Sequence, residues 1–599
     1  MTQLYIENQE VALPEDFTFD LIKENPFFTK GGSFTLDISI NLDIPVNARL
    51  YQHLNRFTSS SIFKKRSARL IVDGRTILNG TEIVLEVNEL SASIQLASGN
   101  SELNYLIGSD EKISTLDLGA VPDPSEDEAL ATFSKGYPES DFICAPVKAV
   151  SDNHAVALNS LKGYKIKYND LPNGAPEIGL PAMLAPKEIR PMPYLLFYIE
   201  SIIKALGYTT GTNALLETEY KRLFIVHGKK PAKWEELVGD KKVTEFLTEV
   251  EELFNVVFVI SKEDKQVDIL FMHQYYTGQA NLFSPDIVEE QFERKFLSAD
   301  EQPESHTNSN IRYDLPDNDY YKYEDIDPEI LDMVPVIEVK NIAELNAITT
   351  PAKEEHLQNL YRDKETGAEF IVEKTDQATE ETLKTRLRRV NTFKQLKKKD
   401  AQKDIEIGII PANICSQYVI ACVYPFGELL TYNGYITIPE TDTYITEEEN
   451  ITVAERIDGK KGEEKEVDKI QVAFWTGIRR IENNTFEGDP DGFPEFLDFP
   501  FSTTHYYAPW ITRKNFLIDE TKATLAFNDE NGLYPKIYAK DIFDPEQEYT
   551  VHAILTTAIP SPLDIFIVNG KKFICKSLQF KITPDGFEPE YQATLYAMQ

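Results

Sequence analysis

The residues with the clearest potential for chemistry form an aromatic cluster around a histidine. In the stretch STTHYYAPW, His505 lies close in sequence to Tyr507 and Trp510. Aromatic rings beside a hydrogen-bonding group can stack against a sugar ring, so these three are candidate glycan-binding residues. The alternative is a packed corner of a β-sheet, which the sequence favours because aromatic residues are common in sheet-rich chains.

Other patterns that would indicate catalysis or metal binding are missing from the sequence. It contains no phosphate-binding glycine loop, zinc-protease motif or nucleophile elbow. The acidic stretch GDPDGFPEFLD at 488–498 lacks the order of a calcium loop and predicts a turn. Paired carboxylates can hydrolyse glycosides, but no pair stands out among 98 acidic residues. We therefore expect no catalytic, cofactor-binding or metal-binding residues and no enzyme activity.

The four cysteines do not form a metal-binding pattern. None of Cys144, Cys415, Cys422 and Cys575 has C-x-x-C spacing, and no histidine lies near the central pair. We predict four buried free thiols.

Size and charge narrow the class of protein further. A chain of 599 residues predicts roughly three to five domains. The net charge of −37 disfavours general affinity for nucleic acid, which requires clustered Lys and Arg, and favours repulsion from anionic membranes. The start of the sequence does not resemble a signal peptide, and apolar stretches such as 254–260 are too short to span a bilayer. We expect folding in a cytoplasm.

The first part of the chain is predicted to be an antiparallel β-barrel at 1–118. Apolar and polar residues alternate from Phe34 to Leu42, which predicts a strand with one buried face. Pro45 begins a predicted helix that continues to Phe57. A linker rich in proline and acidic residues follows at 119–140.

The central part of the chain changes in character. Residues 141–280 are predicted to be an α+β domain, because helical spacing at 195–206 and 241–255 is followed by a strand hairpin. Residues 281–403 are predicted to be an irregular or helical connecting region, with a helix over 383–396 that has a basic outer face. Residues 404–599 are predicted to be a C-terminal β-domain with a second barrel-like segment. The predicted fold class is mainly β with an α+β insert, in a multidomain chain.

Two hairpins at opposite ends of the sequence resemble each other. Residues 68–79 read ARLIVDGRTILN and residues 564–577 read DIFIVNGKKFICKS. Each has an apolar strand, a two-residue turn, a basic residue and a second strand. Asp-Gly and Asn-Gly tolerate the positive φ angles of such turns, so we assign the turns to Asp73 and Gly74 and to Asn569 and Gly570. Hairpins of this type are also common by chance.

Three regions of the sequence resemble one family. The block FTFDLIKENPFFTKGGSFTLDISINLDIPVNARLYQHLNRF, with ARLIVDGRTILNGTEIVLEV after it, resembles the opening barrel of baseplate hub proteins of tailed bacteriophages and contractile injection systems. The segments PMPYLLFYIESIIKALGY and FLTEVEELFNVVFVISKEDKQVDILFM resemble the inner part of such hubs. The segment IPSPLDIFIVNGKKFICKSLQFKITPDGFEPEYQATLYAM is similar to the ends of hub-like proteins from Bacteroidetes prophages. Together these regions cover less than half of the chain.

The resemblance implies a structural protein of the virion without cofactors. Such hubs are homotrimers with two related β-barrels in each subunit, so three copies form a ring of six barrels. This ring joins a sixfold tail tube or distal tail protein to a threefold spike, tip or fibre assembly. It surrounds a channel through which DNA passes without specific binding. The resemblance also implies a location in the tail or baseplate, after assembly in the host bacterial cytoplasm.

The sequence also departs from this family, and two alternatives remain open. Neither the lysozyme nor the peptidase that some hubs carry has a recognisable signature, and 281–400 matches no known part of a hub. One alternative is another baseplate protein or an adhesin that binds host glycans. The other is a multidomain polysaccharide hydrolase. In either alternative His505, Tyr507 and Trp510 would bind the glycan, and Trp510→Ala would abolish that binding.

Overall fold

β-Strands dominate the structure and form several separate sheets. The architecture is mainly β with α+β elements, as the sequence predicts. It is a computed structural model that describes residues 1–57, 66–101, 111–151, 154–159, 161, 188–261, 265–303, 306–317, 321–322, 324, 333–340, 360–364, 369–374, 385–390, 392–398, 401, 403–423, 430–441, 469–482, 496–504, 523–540 and 542–599.

The N-terminal unit is defined here as residues 1–101, and its described part consists mainly of strands with short helices between them. The strands are β1 Thr2–Ile6, β2 Gln9–Val11, β3 Phe19–Glu24, β4 Ser33–Thr35, β5 Ile38–Asn41, β6 Arg66–Val72, β7 Arg75–Val87 and β8 Ser91–Ser98, and the helices are α1 Pro26–Thr29 and α2 Pro45–Leu50. Ile38, Ile40 and Leu42 are buried as the alternation predicts, but Leu36 is 40% exposed because the strand is interrupted between β4 and β5.

The predicted helix over 46–57 is shorter than expected. Helix α2 begins at Pro45 and ends at Leu50. The next residues include Gln52 and His53, whose φ angles are +50° and +57°. Left-handed backbone cannot continue a right-handed helix, so the chain turns at this point.

Residues 111–278, named here the α+β region, combine strands and helices; the sequence predicted an α+β domain for 141–280. Its strands are β9 Phe142–Ile143, β10 Val147–Ser151, β11 His154–Leu158, β12 Met192–Pro193, β13 Thr209–Asn213, β14 Leu223–Val226, β15 Val256–Ser261 and β16 Gln266–Phe271, and its helices are α3 Glu126–Ala131, α4 Leu195–Ala205, α5 Val243–Phe254 and α6 Met272–Gly278. The two predicted helices correspond to α4 and α5. Asn255, with a φ of +48°, ends α5 and leads into the β15–β16 hairpin.

Strands continue through the connecting region and beyond it. They are β17 Leu282–Phe283, β18 Asp286–Phe296, β19 Ser309–Tyr313, β20 Val336–Val339, β21 Leu360–Asp363, β22 Glu369–Lys374, β23 Thr385–Arg389, β24 Lys403–Ile407, β25 Ile409–Pro411, β26 Asn413–Val423, β27 Leu430–Thr441, β28 Ile470–Glu482 and β29 Phe496–Thr503.

The helix predicted over 383–396 is wrong. Residues 385–389 form strand β23, which pairs with β22 in antiparallel register and aligns Arg386 with Glu373. Backbone hydrogen bonds to β22 therefore hold this segment in an extended conformation. Val390, Phe393 and Leu396 supplied the helical spacing, and they are buried without forming a helix.

The C-terminal unit is defined here as residues 282–296 together with 543–598. Its last four strands are β30 Phe543–Ile554, β31 Ile565–Val568, β32 Lys571–Thr583 and β33 Gly586–Met598. The pairings run from β18 through β30, β33 and β32 to β31, and β31 pairs with β17. Since β17 and β18 are separated by only two residues, this path of pairings begins and ends at strands that are neighbours in sequence.

The N-terminal and C-terminal units belong to one sheet of 14 strands. Strand β3 pairs with β32 in antiparallel register from Phe19 opposite Ile582 to Glu24 opposite Ser577. One apolar core contains buried residues from both units, including Leu21, Leu70 and Phe580. Segments from the two ends of the chain therefore fold as one body.

A second and larger core lies in the α+β region. It contains the buried faces of α4 and α5 and receives side chains from β28 and from 523–538. Cys144 belongs to this core, and Cys575 is buried in the C-terminal unit; both are free thiols. The side chains of Cys415 and Cys422 lie outside the described residues. No helix of the described part of the chain is long and apolar enough to cross a membrane.

His227 gives the α+β region a pH-dependent stability. Its Nε2 donates to the carbonyl oxygen of Pro191 over 3.0 Å, and burial lowers its pKa from 6.5 to about 4. Between pH 6.5 and about 4 the imidazole is therefore protonated in the unfolded chain and neutral in the folded chain. The stability of the folded state falls as the pH falls through this range. We expect a loss of about 3 kcal/mol in the free energy of unfolding from this group alone.

The measurement is urea denaturation at a series of pH values from 7 to 4, for the protein and for His227→Gln. Glutamine keeps a donor for the Pro191 carbonyl but does not titrate. The difference between the two curves isolates the histidine from the many carboxylates. Parallel curves over the whole range would contradict this assignment.

Candidate assembly surfaces

The two hairpin turns have nearly identical backbone geometry. The φ angles are +51° at Asp73 and +75° at Gly74, compared with +50° at Asn569 and +76° at Gly570. In both hairpins the residues that flank the turn are paired, Val72 with Arg75 and Val568 with Lys571. Two consecutive positive φ angles match the right-handed twist of the adjoining strands.

The similarity extends from the turns to the strands around them. After each turn comes a strand of 13 residues, β7 or β32, which pairs with the strand before it and with the strand after it. The next strand is β8 in the N-terminal unit and β33 in the C-terminal unit. Each end of the chain therefore contributes a three-stranded meander built in the same way.

Alanine at either turn glycine is expected to destabilise the protein by about 1 kcal/mol. A Cβ atom at Gly74 or Gly570 would meet no atom within 4 Å, so the cost arises from the positive φ alone. The measurement is the free energy of unfolding of Gly74→Ala and Gly570→Ala. Gly136→Ala is the matched control, because it also has open space for a Cβ but no positive φ. If neither substitution changes the free energy of unfolding, the two glycines are not required for the turns, and the similarity of the two hairpins loses its basis.

Asn25 connects the two units where β3 leads into α1. This fully buried side chain donates from Nδ2 to Tyr276 Oη over 2.7 Å, to the Pro562 carbonyl over 3.0 Å and to the Cys575 carbonyl over 2.6 Å. Its Oδ1 accepts from the backbone N–H of Phe27 over 3.1 Å, which caps α1. One side chain thus fixes segments that are up to 550 residues apart in sequence.

A second contact joins the first hairpin to the C-terminal unit. Arg75 Nη1 donates to the carbonyl of Thr557 over 2.6 Å, and the hydroxyl of Thr2 donates to the carbonyl of Thr583 over 2.7 Å. Gly586 lies so close to Asp73 that a Cβ on this glycine would be 2.3 Å from Asp73 Oδ1. The turn of the first hairpin is therefore also a contact between the units.

Strand β18 carries exposed aromatic side chains. Phe292 and Phe296 are 65% and 69% exposed, and Arg294 lies between them with its guanidinium 4.8 Å from the Phe296 ring centre. These three residues are defined here as the C-terminal patch. Within the described sheet, β18 pairs with β30 alone, at 286–287 and at 292–296. Its other edge has free backbone groups, which is the usual starting point for pairing between chains.

The N-terminal unit has exposed apolar residues of its own. Val46, Leu85 and Leu90 are defined here as the N-terminal patch, and Leu90 is 64% exposed. Leu85 lies at an irregularity in the β7–β8 register, and Leu90 lies in the turn between these strands. Asp43 and Glu89 adjoin this patch in sequence. Exposed apolar residues with acidic residues near them in sequence are complementary in character to a patch of aromatic residues and an arginine.

The other candidate residues from the sequence lie wholly or largely outside the described residues. His505, Tyr507 and Trp510 lie outside the described residues. Of the acidic stretch 488–498, the structure describes only 496–498, which belong to β29. Among the described residues no group of three or more His, Cys, Asp or Glu is arranged to hold a metal ion.

Sequence reasoning did not find the residues that join the units. Asn25 had a usable signal, since Asn followed by Pro is a typical helix start with a capping side chain. No sequence pattern indicates its hydrogen bonds to Tyr276 and to the C-terminal unit, because these bonds depend on tertiary contacts. The C-terminal patch was also missed, since exposure at a sheet edge cannot be read from alternation.

Comparison with known proteins gives weak similarities only. No family model matches the chain, and no curated protein matches it. The solved structures similar to it include the 43 kDa tail protein of prophage MuSo2 from Shewanella oneidensis, with 6% identity, a TM-score of 0.31, and coverage of 99% of this chain and 96% of that one. Another is a tail protein from Neisseria meningitidis MC58, with 8% identity, a TM-score of 0.27, and coverage of 100% and 96%. These scores are too low to define a shared fold.

Proposed function

We propose that this chain is a structural protein of a phage tail, the hub of its baseplate or tail tip. The observation that carries the proposal is the pair of matching meanders from opposite chain ends, which belong to one sheet and are joined in it through β3 and β4. The sequence resemblance to hub proteins supports it, because that family has two related barrels in each subunit. The N-terminal and C-terminal units are the candidates for these barrels.

The mechanism of such a hub is symmetry matching. Three copies of a chain with two similar units present six similar surfaces, which fits a sixfold tail tube or distal tail protein on one side. The same particle has true threefold symmetry, which fits a spike, tip or fibre assembly on the other side. No residue needs to perform chemistry in this role.

The patches fit contacts between copies of the chain. A cyclic trimer requires a heterologous contact, in which one surface meets a different surface of the next copy. The C-terminal patch of one subunit would meet the N-terminal patch of the next, so that each copy uses both. Obligate interfaces of this kind typically bury about 2,000 Å² or more, and aromatic and arginine residues dominate their binding energy.

The acidic charge has a role in this proposal. A net charge of −37 gives a negative channel wall, which repels the phosphate backbone and lets DNA pass without binding. The protein would assemble in the cytoplasm of the host bacterium and act in the virion tail. An unchanged rate of DNA ejection after the channel acids are replaced by amides would contradict this role.

The test of the contact is the double substitution Phe292→Glu and Phe296→Glu. We expect it to weaken self-association roughly 100-fold or more, since two aromatic anchors are lost and two charges are introduced. Sedimentation velocity would show a shift away from a particle with three times the 68.3 kDa chain mass. Ile337→Glu is the control, because this exposed apolar residue lies on β20 in another sheet. An unchanged trimer in the double variant would place the contact elsewhere.

A further inference from the structure

A cavity lies where the N-terminal unit, the α+β region and the C-terminal unit meet. Its volume is about 280 Å³, and α1, the start of α6 and residues 536–543 contribute to its lining. Segments from three distant parts of the sequence therefore form one site. None of the residues of the C-terminal patch or of the N-terminal patch lines it.

The inner wall of the cavity is aromatic. Phe27 and Phe28 of α1 line it together with Phe271 and Phe543. The Phe28 and Phe543 rings meet edge to face with their centres 5.0 Å apart, and Phe27 packs at 5.6 Å against Tyr276. Such packing fixes the ring positions, so the wall is preformed for an apolar group.

The rim of the cavity is cationic. Lys536 and Lys540 line it and are exposed, and neither ammonium group has an ion-pair partner in the part of the chain that the structure describes. The acidic residue of the lining, Glu219, is engaged by Arg222 over 3.0 Å. Two free lysines beside one neutralised carboxylate are unusual in a chain with 98 acidic and 61 basic residues.

Two histidines also belong to the lining. His306 bonds through Nε2 to the carbonyl of Glu252 over 3.0 Å, and its ring lies 4.4 Å from that of Tyr538. It is thereby held in place at the wall. His273, in the first turn of α6, adds a further hydrogen-bonding group.

We propose that this cavity binds an aromatic side chain next to a carboxylate, presented by an acidic segment of a partner protein. The ring would stack on the aromatic wall, and the carboxylate would accept charge-assisted hydrogen bonds from Lys536 and Lys540. A volume of about 280 Å³ is at or below the range of sites for whole cofactors. It fits one side chain, with the rest of the peptide crossing the exposed rim.

Binding at this place has a consequence for the whole chain. Because the cavity is built from three regions, an occupant stabilises their arrangement by its own binding free energy. A partner segment would thus favour one relative position of the two units. This inference does not depend on the proposed trimer, since one copy of the chain supplies every lining residue named here.

The experiment is isothermal titration calorimetry with the full-length protein and three probes. They are the peptide Ac-Gly-Asp-Phe-Asp-Gly-NH2, its neutral counterpart with Asn in place of Asp, and 2-naphthoate as a free aromatic carboxylate. We expect the acidic peptide to bind, and the neutral peptide to bind at least about tenfold more weakly. Lys536→Gln with Lys540→Gln should cause a similar loss. Lys571→Gln with Lys572→Gln, at the distant hairpin, should bind like the unmodified protein.

Each other outcome overturns part or all of the proposal. Equal affinity for the acidic and the neutral peptide would show that Lys536 and Lys540 do not bind the carboxylate. Binding of 2-naphthoate without the acidic peptide shows a site for a free small carboxylate instead of a protein segment. No binding of any probe at about 5 mM rejects the site, because useful recognition would be tighter than this. The variant Met272→Trp fills the cavity and should abolish binding of the acidic peptide without changing the melting temperature. If the peptide still binds to this variant, its site lies outside the cavity.

Discussion

Replacing Arg66 with Met is expected to lower the free energy of unfolding by about 3–5 kcal/mol, the largest effect anticipated for a single substitution in this chain. Arg66 Nε donates to Glu82 Oε2 over 2.5 Å, and both side chains are almost completely buried. Removal of the guanidinium leaves a buried carboxylate without its counter-charge. The N-terminal unit would be the part that unfolds first.

The surroundings of this pair explain why its loss is costly. Arg66 and Glu82 lie directly opposite each other on β6 and β7. Tyr51 donates its hydroxyl to Glu82 Oε1 over 2.5 Å, and Arg66 Nη1 donates to the Leu50 carbonyl over 3.0 Å. Burial raises the pKa of Glu82, against the lowering effects of its bonds to Tyr51 and Arg66. The cluster therefore ties the end of α2 to the sheet.

Two further variants test this explanation by urea denaturation. Arg66→Met combined with Glu82→Leu should recover much of the lost stability, since no unpaired charge remains. Arg312→Met removes an ion pair of the same type, Arg312 with Glu406 across β19 and β24, but this pair is about half exposed. It should cost less than about 1 kcal/mol. Equal losses for Arg66→Met and Arg312→Met would contradict the role of burial.

Replacing Asn25 with Ala is expected to destabilise the protein by about 2–4 kcal/mol. The substitution removes the donor shared by Tyr276 Oη and two buried carbonyls, and it also removes the cap of α1. Because these partners belong to different segments, the loss should be concentrated where β3 meets β32. Hydrogen exchange should therefore accelerate at the amides of this strand pair before it accelerates in α4 or α5.

The matched control is Asn310→Ala. Asn310 is half-buried and makes fewer bonds: its Nδ2 donates to Asp404 Oδ1 over 2.7 Å in a solvent-exposed contact, and its Oδ1 accepts from the Lys398 N–H over 2.8 Å. It should change stability by less than about 1 kcal/mol. Uniform acceleration of exchange across the whole chain in Asn25→Ala would show that the residue stabilises the fold generally and does not act at the junction.

Local features of the fold could be predicted because local forces determine them. Helices α4 and α5 follow from apolar residues at helical spacing, and the positive φ angles at the two hairpin turns are those that Asp-Gly and Asn-Gly favour. The apolar spacing at 383–396 led to the wrong prediction of a helix, because long-range contacts determine the structure of this segment. There the residues are buried by tertiary packing, and cross-strand pairing with β22 decides the backbone conformation.

Long-range pairing could not be predicted from the sequence. Nothing in Phe19–Glu24 specifies that its partner is Lys571–Thr583, more than 500 residues away. The similarity of the two hairpins suggested related units, but not that they share one sheet and one core. The same limit applies to the cavity, whose aromatic wall and cationic rim come from segments that meet only in the folded chain.

The proposed tail hub predicts a particle shape that negative-stain electron microscopy of the purified full-length protein can test directly. We expect class averages with threefold symmetry, a central channel and a ring of six lobes, two from each copy. Compact monomers in all classes would contradict the hub and would favour the glycan-binding or hydrolase alternatives for this chain.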